Sequence, residues 1–264
     1  MSISRLALAA ASATILLAAS PASSLDLIAL TDRNELVLFA DDAPARARVV
    51  ALSGVQGRLL GIDLRPANKT LYGVGADGTI YVIDPATGAA RSQARISVPL
   101  EADDRAAVDF NPQADRLRVI GPKGQSLRVN VETGQAIVDG RLAYGPTDRH
   151  AGKAPGVVAA AYINSYAGAK QTQLFEFDSA NGAFVVQDPP NDGILGTVAP
   201  VALPPGATMI AIDIYTDEKD GYHGYAAISG ALHRFDVGSG ALTAVGPIGD
   251  GKSMIVDIAA AATR

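Results

Sequence analysis

The chain has 264 residues, a net charge of −5 and 48% apolar residues, which is ample for one packed domain and unlike a disordered chain. A mildly acidic chain without a long basic run has no electrostatic footprint for nucleic acid. It contains no cysteine, so neither a disulfide framework, thiol catalysis nor lipid attachment at a bacterial signal is available to it.

The first segment, MSISRLALAAASATILLAASPASS, has one Arg, an apolar run and then small residues. It reads as a bacterial secretory signal peptide cut after Ala22, leaving residues 23–264 as the mature domain in the periplasm or outside the cell. No later segment approaches the roughly 20 apolar residues of a spanning helix, so no membrane span is expected after cleavage.

Past this leader the chain repeats itself. GIDLRPANKTLYGVGADGTIYVIDPATG (61–88) and AVDFNPQADRLRVIGPKGQSLRVNVETG (107–134) overlay without a gap at a spacing of 46. AIDIYTDEKDGYHGYAAISGALHRFDVGSG (211–240) carries the same units, and Ile255–Ile258 echoes Gly61–Leu64. DRNELVLFADDAP (32–44) overlays ADGTIYVIDPATG, with Asn34 or Arg33 in place of the glycine. The marker aspartates Asp63, Asp109, Asp213 and Asp257 are 46, 104 and 44 residues apart. The middle gap is two periods, and VVAAAYINS (157–165) with QLFEFDSANGAFVVQDPP (173–190) supplies a repeat that lacks the aspartate. Five repeats of about 48 residues result, a period of solenoids, propellers or arrays.

Each unit alternates in the manner of strands. In LYGVGADGTIYVID, Asp77-Gly78 between two apolar runs is a hairpin signal, and Asp84–Gly88 is a second turn. The best unit predicts strands at about 59–65, 70–76, 79–84 and 89–97, with no helix past the leader. Four strands, five copies and a period in the forties predict an all-β, single five-bladed β-propeller. The domain begins with a second strand (27–30) and ends with a first strand (254–259), so the last strand completes the first blade. A linear β-solenoid is the alternative, but it would not need complementary ends.

The segment VDFNP…DRLRV…GQSLRVN (108–130), together with PGVVAAAYINS and QLFEFDSANG, resembles the bacterial family catalogued as domain of unknown function 4394 over nearly all of residues 25–260. The resemblance implies an exported, β-propeller-like protein and brings no catalytic residues. Some members end in a Pro-Glu-Pro sorting tail. The sequence here ends IAAAATR, so sorting by that route is not expected. TIYVIDPATG is also similar to the repeat of other secreted propellers, including the YVTN type, a structural likeness that transfers no function.

Four groups of residues invite chemistry. First, Asp63, Asp109, Asp213 and Asp257 fall on the innermost strands, where converging carboxylates would suit a hard cation such as Ca²⁺ and raise one another's pKa. The competing expectation is structural: each aspartate ties its blade to the next through backbone N–H groups, because devices of the fold repeat with it. Second, Arg116, Arg118, Arg128 and Asn130 share polar faces of two adjoining strands and would suit an anionic ligand. Salt bridges to Asp103, Asp104, Asp115 or Glu132 would remove them from that role. Third, the loop from Tyr144 to Lys153 gathers Tyr144, Asp148, Arg149 and His150, a ligand position or a solvated connection. His223 is expected in a turn, and His233 as a part-buried packing residue.

Fourth, Gly246–Ser253 fits the phosphate-loop pattern. MIVDIA after it reads as a strand, whereas phosphate binding needs a helix there. Without Trp the chain lacks the sialidase Asp-box and quinoprotein docking motifs, and it has no G-x-S-x-G elbow. Asn68-Lys-Thr is a glycosylation sequon of little meaning in a bacterial protein. The expected function is a monomeric binding or interaction module for a small molecule, glycan or protein. The alternatives are a Ca²⁺-assisted hydrolase or lactonase and a pure scaffold.

Overall fold

The structure is a computed structural model that describes residues 24–204, 207 and 209–261; the leader and its cleavage position lie outside the described residues. Five sheets follow one another around a ring, each built on four antiparallel strands and the fourth extended by one short parallel strand, with no helix among the described residues. Blade one contains β1 (Asp26–Thr31), β2 (Glu35–Ala40) and β3 (Arg48–Ala51). Blade two contains β4 (Leu59–Arg65), β5 (Thr70–Gly75), β6 (Thr79–Ile83) and β7 (Ala90–Arg95). Blade three contains β8 (Ala107–Asn111), β9 (Arg116–Ile120), β10 (Ser126–Val129) and β11 (Ala136–Val138).

The short β12 (Ala143–Tyr144) runs parallel to the outermost strand of blade four. That blade is β13 (Val157–Tyr162), β14 (Leu174–Asp178), β15 (Ala183–Gln187) and β16 (Ile194–Pro200). Blade five is β17 (Ile210–Thr216), β18 (Tyr222–Ile228), β19 (Ala231–Phe235) and β20 (Leu242–Pro247). The last strand, β21 (Ile255–Ala260), returns to pair antiparallel with β1, Ala29 opposite Ile258. The ring therefore closes as the sequence predicts. The innermost strands β4, β8, β13, β17 and β21 pack successively against one another around the axis, which excludes the linear solenoid.

The second hairpin of every blade has the same backbone device. Gly78, Gly124, Gly182 and Gly230 all sit at positive φ immediately or closely before the third strand. In blade one Asn34, at φ 55°, takes this place, so Asn34 rather than Arg33 replaces the glycine. Asn tolerates the left-handed region better than other side chains, and its Oδ1 accepts from Leu59 N at 2.9 Å, tying blade one to blade two. His223 is a correction: it lies in β18, not in a turn, with Nε2 2.9 Å from Asp217.

Apolar residues on the two faces of each sheet fill the spaces between blades. Phe177, Phe184 and Phe235 join blades four and five with ring centroids 5.0–5.8 Å apart. Burying both faces removes the usual solvent side of an antiparallel sheet. A polar residue in a middle strand must therefore find a partner inside the molecule.

Candidate functional site

Asp63 on β4, Asp109 on β8, Asp213 on β17 and Asp257 on β21 are all buried at the channel wall. Their carboxylates reach across to the next blade. Asp63 Oδ2 accepts from Phe110 N at 2.7 Å, and Asp109 Oδ1 from Tyr162 N at 3.1 Å. Asp213 Oδ2 accepts from Ala260 N at 2.6 Å, and Asp257 Oδ2 from Ile62 N at 2.9 Å. The other oxygens of Asp63, Asp213 and Asp257 accept from the N–H of the following residue. Blade four has no such aspartate, and the matching position on β13 is Ala161. There the fifth tie has a different origin: Thr216 Oγ1 on β17 accepts from Asn164 N at 2.9 Å.

The same side chains converge. One oxygen from each of Asp63, Asp109 and Asp213 lies within 4.8 Å of the others. Ligand oxygens on opposite sides of a Ca²⁺ ion stand about 5 Å apart, since each bond is about 2.3–2.6 Å, so the spacing fits a hard cation. Among the described residues, the hydrogen bonds to these carboxylates come from backbone N–H groups, not from a cationic side chain. Burial, joined by the charge of neighbouring aspartates, raises Asp63, Asp109 and Asp257 well above the usual carboxylate range. Burial lifts Asp213 to about 6. A cavity of about 60 Å³ opens onto Asp63 and Asp213 from the C-terminal ends of the inner strands, where Lys69, Ser165 and Tyr215 form its rim.

The other sequence candidates are placed differently. Arg118 is 1% exposed. Its Nη1 is 2.6 Å from Asp139 Oδ2 and 2.8 Å from Ser126 Oγ, and its Nε donates to Tyr162 Oη at 3.1 Å. Arg128 grips both oxygens of Asp139, at 2.7 and 2.8 Å. Arg118 and Arg128 are thus held inside the chain by a carboxylate absent from the four expected partners. Asp115 and Glu132 pair instead with Arg65. Arg116 donates to the carbonyl of Asp115, so the structure brings together two of the three guanidiniums. Asn130 Oδ1 caps its own turn by accepting from Glu132 N and Thr133 N.

In the loop after β12, Tyr144 donates to Asp178 at 2.5 Å, and burial with that carboxylate raises its phenol well above the ordinary range. Asp148 accepts from Thr197 N at 2.6 Å and His150 N at 2.7 Å. Burial opposes its ionisation, but these bonds hold it below the ordinary carboxylate range. His150 Nδ1 lies 3.1 Å from Thr197 Oγ1, and its ring meets Tyr144 edge-on. The loop is therefore clamped to β16. Beside it a rim depression of about 750 Å³ exposes Lys123, Arg141 and Lys153. Lys123 and Arg141 there face Asp103 and Glu101. The phosphate-loop pattern at 246–253 leads into β21, with no helix to hold phosphate. His233 is half-buried, as expected.

Sequence reasoning missed Asp139, Asp178 and Glu176. Asp139 stands in Val-Asp-Gly, which reads as an ordinary turn. Asp178 and Glu176 stand in Phe-Glu-Phe-Asp, whose alternation suggests a solvent face.

A family model described as a domain of unknown function, DUF4394, matches residues 35–259. No curated protein matches the chain. Among solved structures, a protein of unknown function from Bacteroides thetaiotaomicron is similar at 16% identity and a TM-score of 0.49, covering 89% of this chain and 58% of its own. An auxiliary nutrient binding protein from Bacteroides ovatus is similar at 17% identity and a TM-score of 0.46, covering 75% of this chain and 55% of its own. YCF48 from Cyanidioschyzon merolae reaches 13% identity and a TM-score of 0.41, covering 84% and 70%. This chain therefore spans little more than half the length of the first two. Likeness at this level transfers no function.

Proposed function

We propose that this chain, which belongs to the DUF4394 family, is an exported binding module whose channel holds a divalent cation of the Ca²⁺ type. Asp63, Asp109 and Asp213 would supply the ligands, and a ligand oxygen would complete the shell from the cavity side. The observation that carries this reading is the convergence of three buried carboxylates within 4.8 Å, hydrogen-bonded by backbone N–H groups. Each carboxylate oxygen retains a second lone pair after accepting one hydrogen bond, so tying blades and binding a cation are compatible. The cation would offset the like-charge repulsion that raises these groups. The cavity rim of Lys69, Ser165 and Tyr215 favours a small oxygen-rich ligand, such as a glycan or a small molecule with hydroxyl or carboxyl groups. The address is periplasmic or extracellular, on the strength of the N-terminal sequence.

A second reading has its own support. The backbone ties made by the four aspartates, and their replacement by Thr216 where the aspartate is missing, are what a purely structural role requires.

Thermal melting separates the two. The protein without its leader is melted with Ca²⁺, with EDTA and with neither. At 100-fold over its Kd a ligand adds about 2.7 kcal/mol of stability, a shift of roughly 5–10 °C for a domain of this size. A Ca²⁺-dependent rise of that order is the expected result. Identical curves in all three conditions leave the aspartates as blade ties.

A further inference from the structure

The junction of blades three and four contains two irregularities that neither the fold nor the channel explains. One is Glu176 on β14, which is 0% exposed and has no hydrogen-bond partner for either carboxyl oxygen among the described residues. Gln187 Oε1, on the adjoining strand β15, is similarly without a partner. Glu176 lies opposite Val185 and Gln187 opposite Leu174, so both side chains leave the same face of the sheet, towards blade three. A buried carboxyl without a donor is costly, and native structures seldom keep one without a use.

The other irregularity is a charge mismatch. Arg118 and Arg128 share the single carboxylate of Asp139. Arg128 already grips both of its oxygens, leaving Arg118 with one contact to an oxygen that Arg128 also uses. The junction therefore has two guanidiniums on one carboxylate and, on the facing blade, an acid without a partner. The charge of Arg118 acts on Glu176. The charged and titratable groups of the junction are Asp109 on β8, Arg118 on β9, Arg128 on β10, Asp139 after β11, Tyr144 on β12, Tyr162 on β13 and Asp178 on β14. On β15 and β16 the neighbours are the neutral Gln187 and Leu195.

We infer that Glu176 is a second seat for Arg118: when Glu176 loses its proton, the guanidinium moves to it from Asp139 and Asn191, and the rim between blades three and four loosens. Arg128 keeps Asp139 in both states, so no charge is stranded by the move. Burial, with a smaller push from Asp178, lifts Glu176 to about 8 against the pull of Arg118, so the acid is neutral at pH 7 and ionises just above it. The rim is hung on the first seat. Arg118 Nη2 donates to Asn191 Oδ1 at 3.3 Å, and the Asn191 carbonyl accepts from Gly140 N at 3.0 Å. Gln187 Nε2 donates to the Pro190 carbonyl in the same loop. Withdrawing Arg118 frees Asn191 and with it the contact between residues 139–142 and 188–193. Arg141 and Leu142 of that contact line the rim depression, so the switch reaches a surface where a ligand could read it.

The test is hydrogen exchange of the whole secreted chain at pH 7 and pH 9, corrected for the intrinsic rate at each pH. The expected result is a fall in protection of about tenfold or more in residues 139–142 and 188–193, beyond any fall in blades one and five. Glu176→Gln, which keeps the shape and removes the ionisation, should abolish that fall. Should the Gln variant not fold, Glu176→Leu serves the same purpose. No change in the wild-type rim between pH 7 and pH 9 overturns the inference, and so does a fall that persists in the variant.

Discussion

Asp139→Ala lowers the stability of this protein by about 3–5 kcal/mol, the range for removing one partner of a buried ion pair, read as a downward shift of roughly 10 °C or more in melting temperature. The size follows from what remains. Arg118 is fully buried among the apolar residues joining blades three and four, and its remaining partners, Ser126, Tyr162 and Asn191, are neutral. Arg128 is about a quarter exposed and can turn its charge to water, so Arg128→Ala should cost only about 1 kcal/mol, close to the range for a partly solvated pair. Urea unfolding of the three proteins measures both values. At pH 9, where Glu176 is ionised and can take the guanidinium, the loss should be smaller; a loss under about 1 kcal/mol at pH 6, where Glu176 keeps its proton, would contradict the role of Asp139 in holding Arg118.

The second large effect is on pH. In chelated protein the melting temperature should fall in two steps as pH rises from 5 to 9. Asp213 is lifted by burial to about 6 in the folded chain. An acid raised on folding binds its proton more tightly in the native state, so its stabilising contribution is complete below the unfolded pKa and is lost as pH rises through the folded one. For Asp213 the loss runs from about pH 4 to a little above 6. At about 1.4 kcal/mol per tenfold change in proton affinity it amounts to about 3 kcal/mol. Asp63, Asp109 and Asp257 move in the same direction and extend the step upward.

Glu176 adds a separate step, lost as pH passes through about 8. Asp213→Asn should remove much of the first step and leave the second, and Glu176→Gln should do the reverse. Ca²⁺ should flatten only the first. A melting temperature that holds constant from pH 5 to 9 would mean that neither the ring nor Glu176 carries an elevated proton affinity.

Much of the architecture was legible because the propeller writes its turns into the sequence. Asp77-Gly78, Lys123-Gly124, Asn181-Gly182 and Ser229-Gly230 punctuate blades two to five at the same backbone conformation, and the marker aspartates repeat at one level of the wall. The spacing alone located blade four, which lacks its aspartate. The level of the four aspartates on the channel wall was legible to the same degree, since repeated residues on first strands must face one channel. The kind of partner, a backbone N–H of the next blade, was legible too, but the individual residues were not. The hydrogen bond from Ala260 N to Asp213 joins residues 47 apart, and the one from Ile62 N to Asp257 joins residues 195 apart, distances at which no local pattern signals contact.

The arginines show the limit from another side. Their strand faces were read correctly, but in a propeller a polar face on a middle strand looks into the next blade, not into solvent. Glu176 was invisible for that reason too: Phe175 and Phe177 pack towards blade five, so alternation turns Glu176 towards blade three, into a second dry interface.

The most direct measurement is equilibrium dialysis of the protein from residue 23 onward against radioactive Ca²⁺ at pH 8, well above the value of about 6 to which Asp213 is lifted, alongside Asp63→Asn and Asp213→Asn. The account predicts one ion bound per chain and none, or far weaker binding, in either variant. A folded wild-type chain that takes up no calcium would contradict it and leave the four aspartates as the ties that hold five blades in a ring.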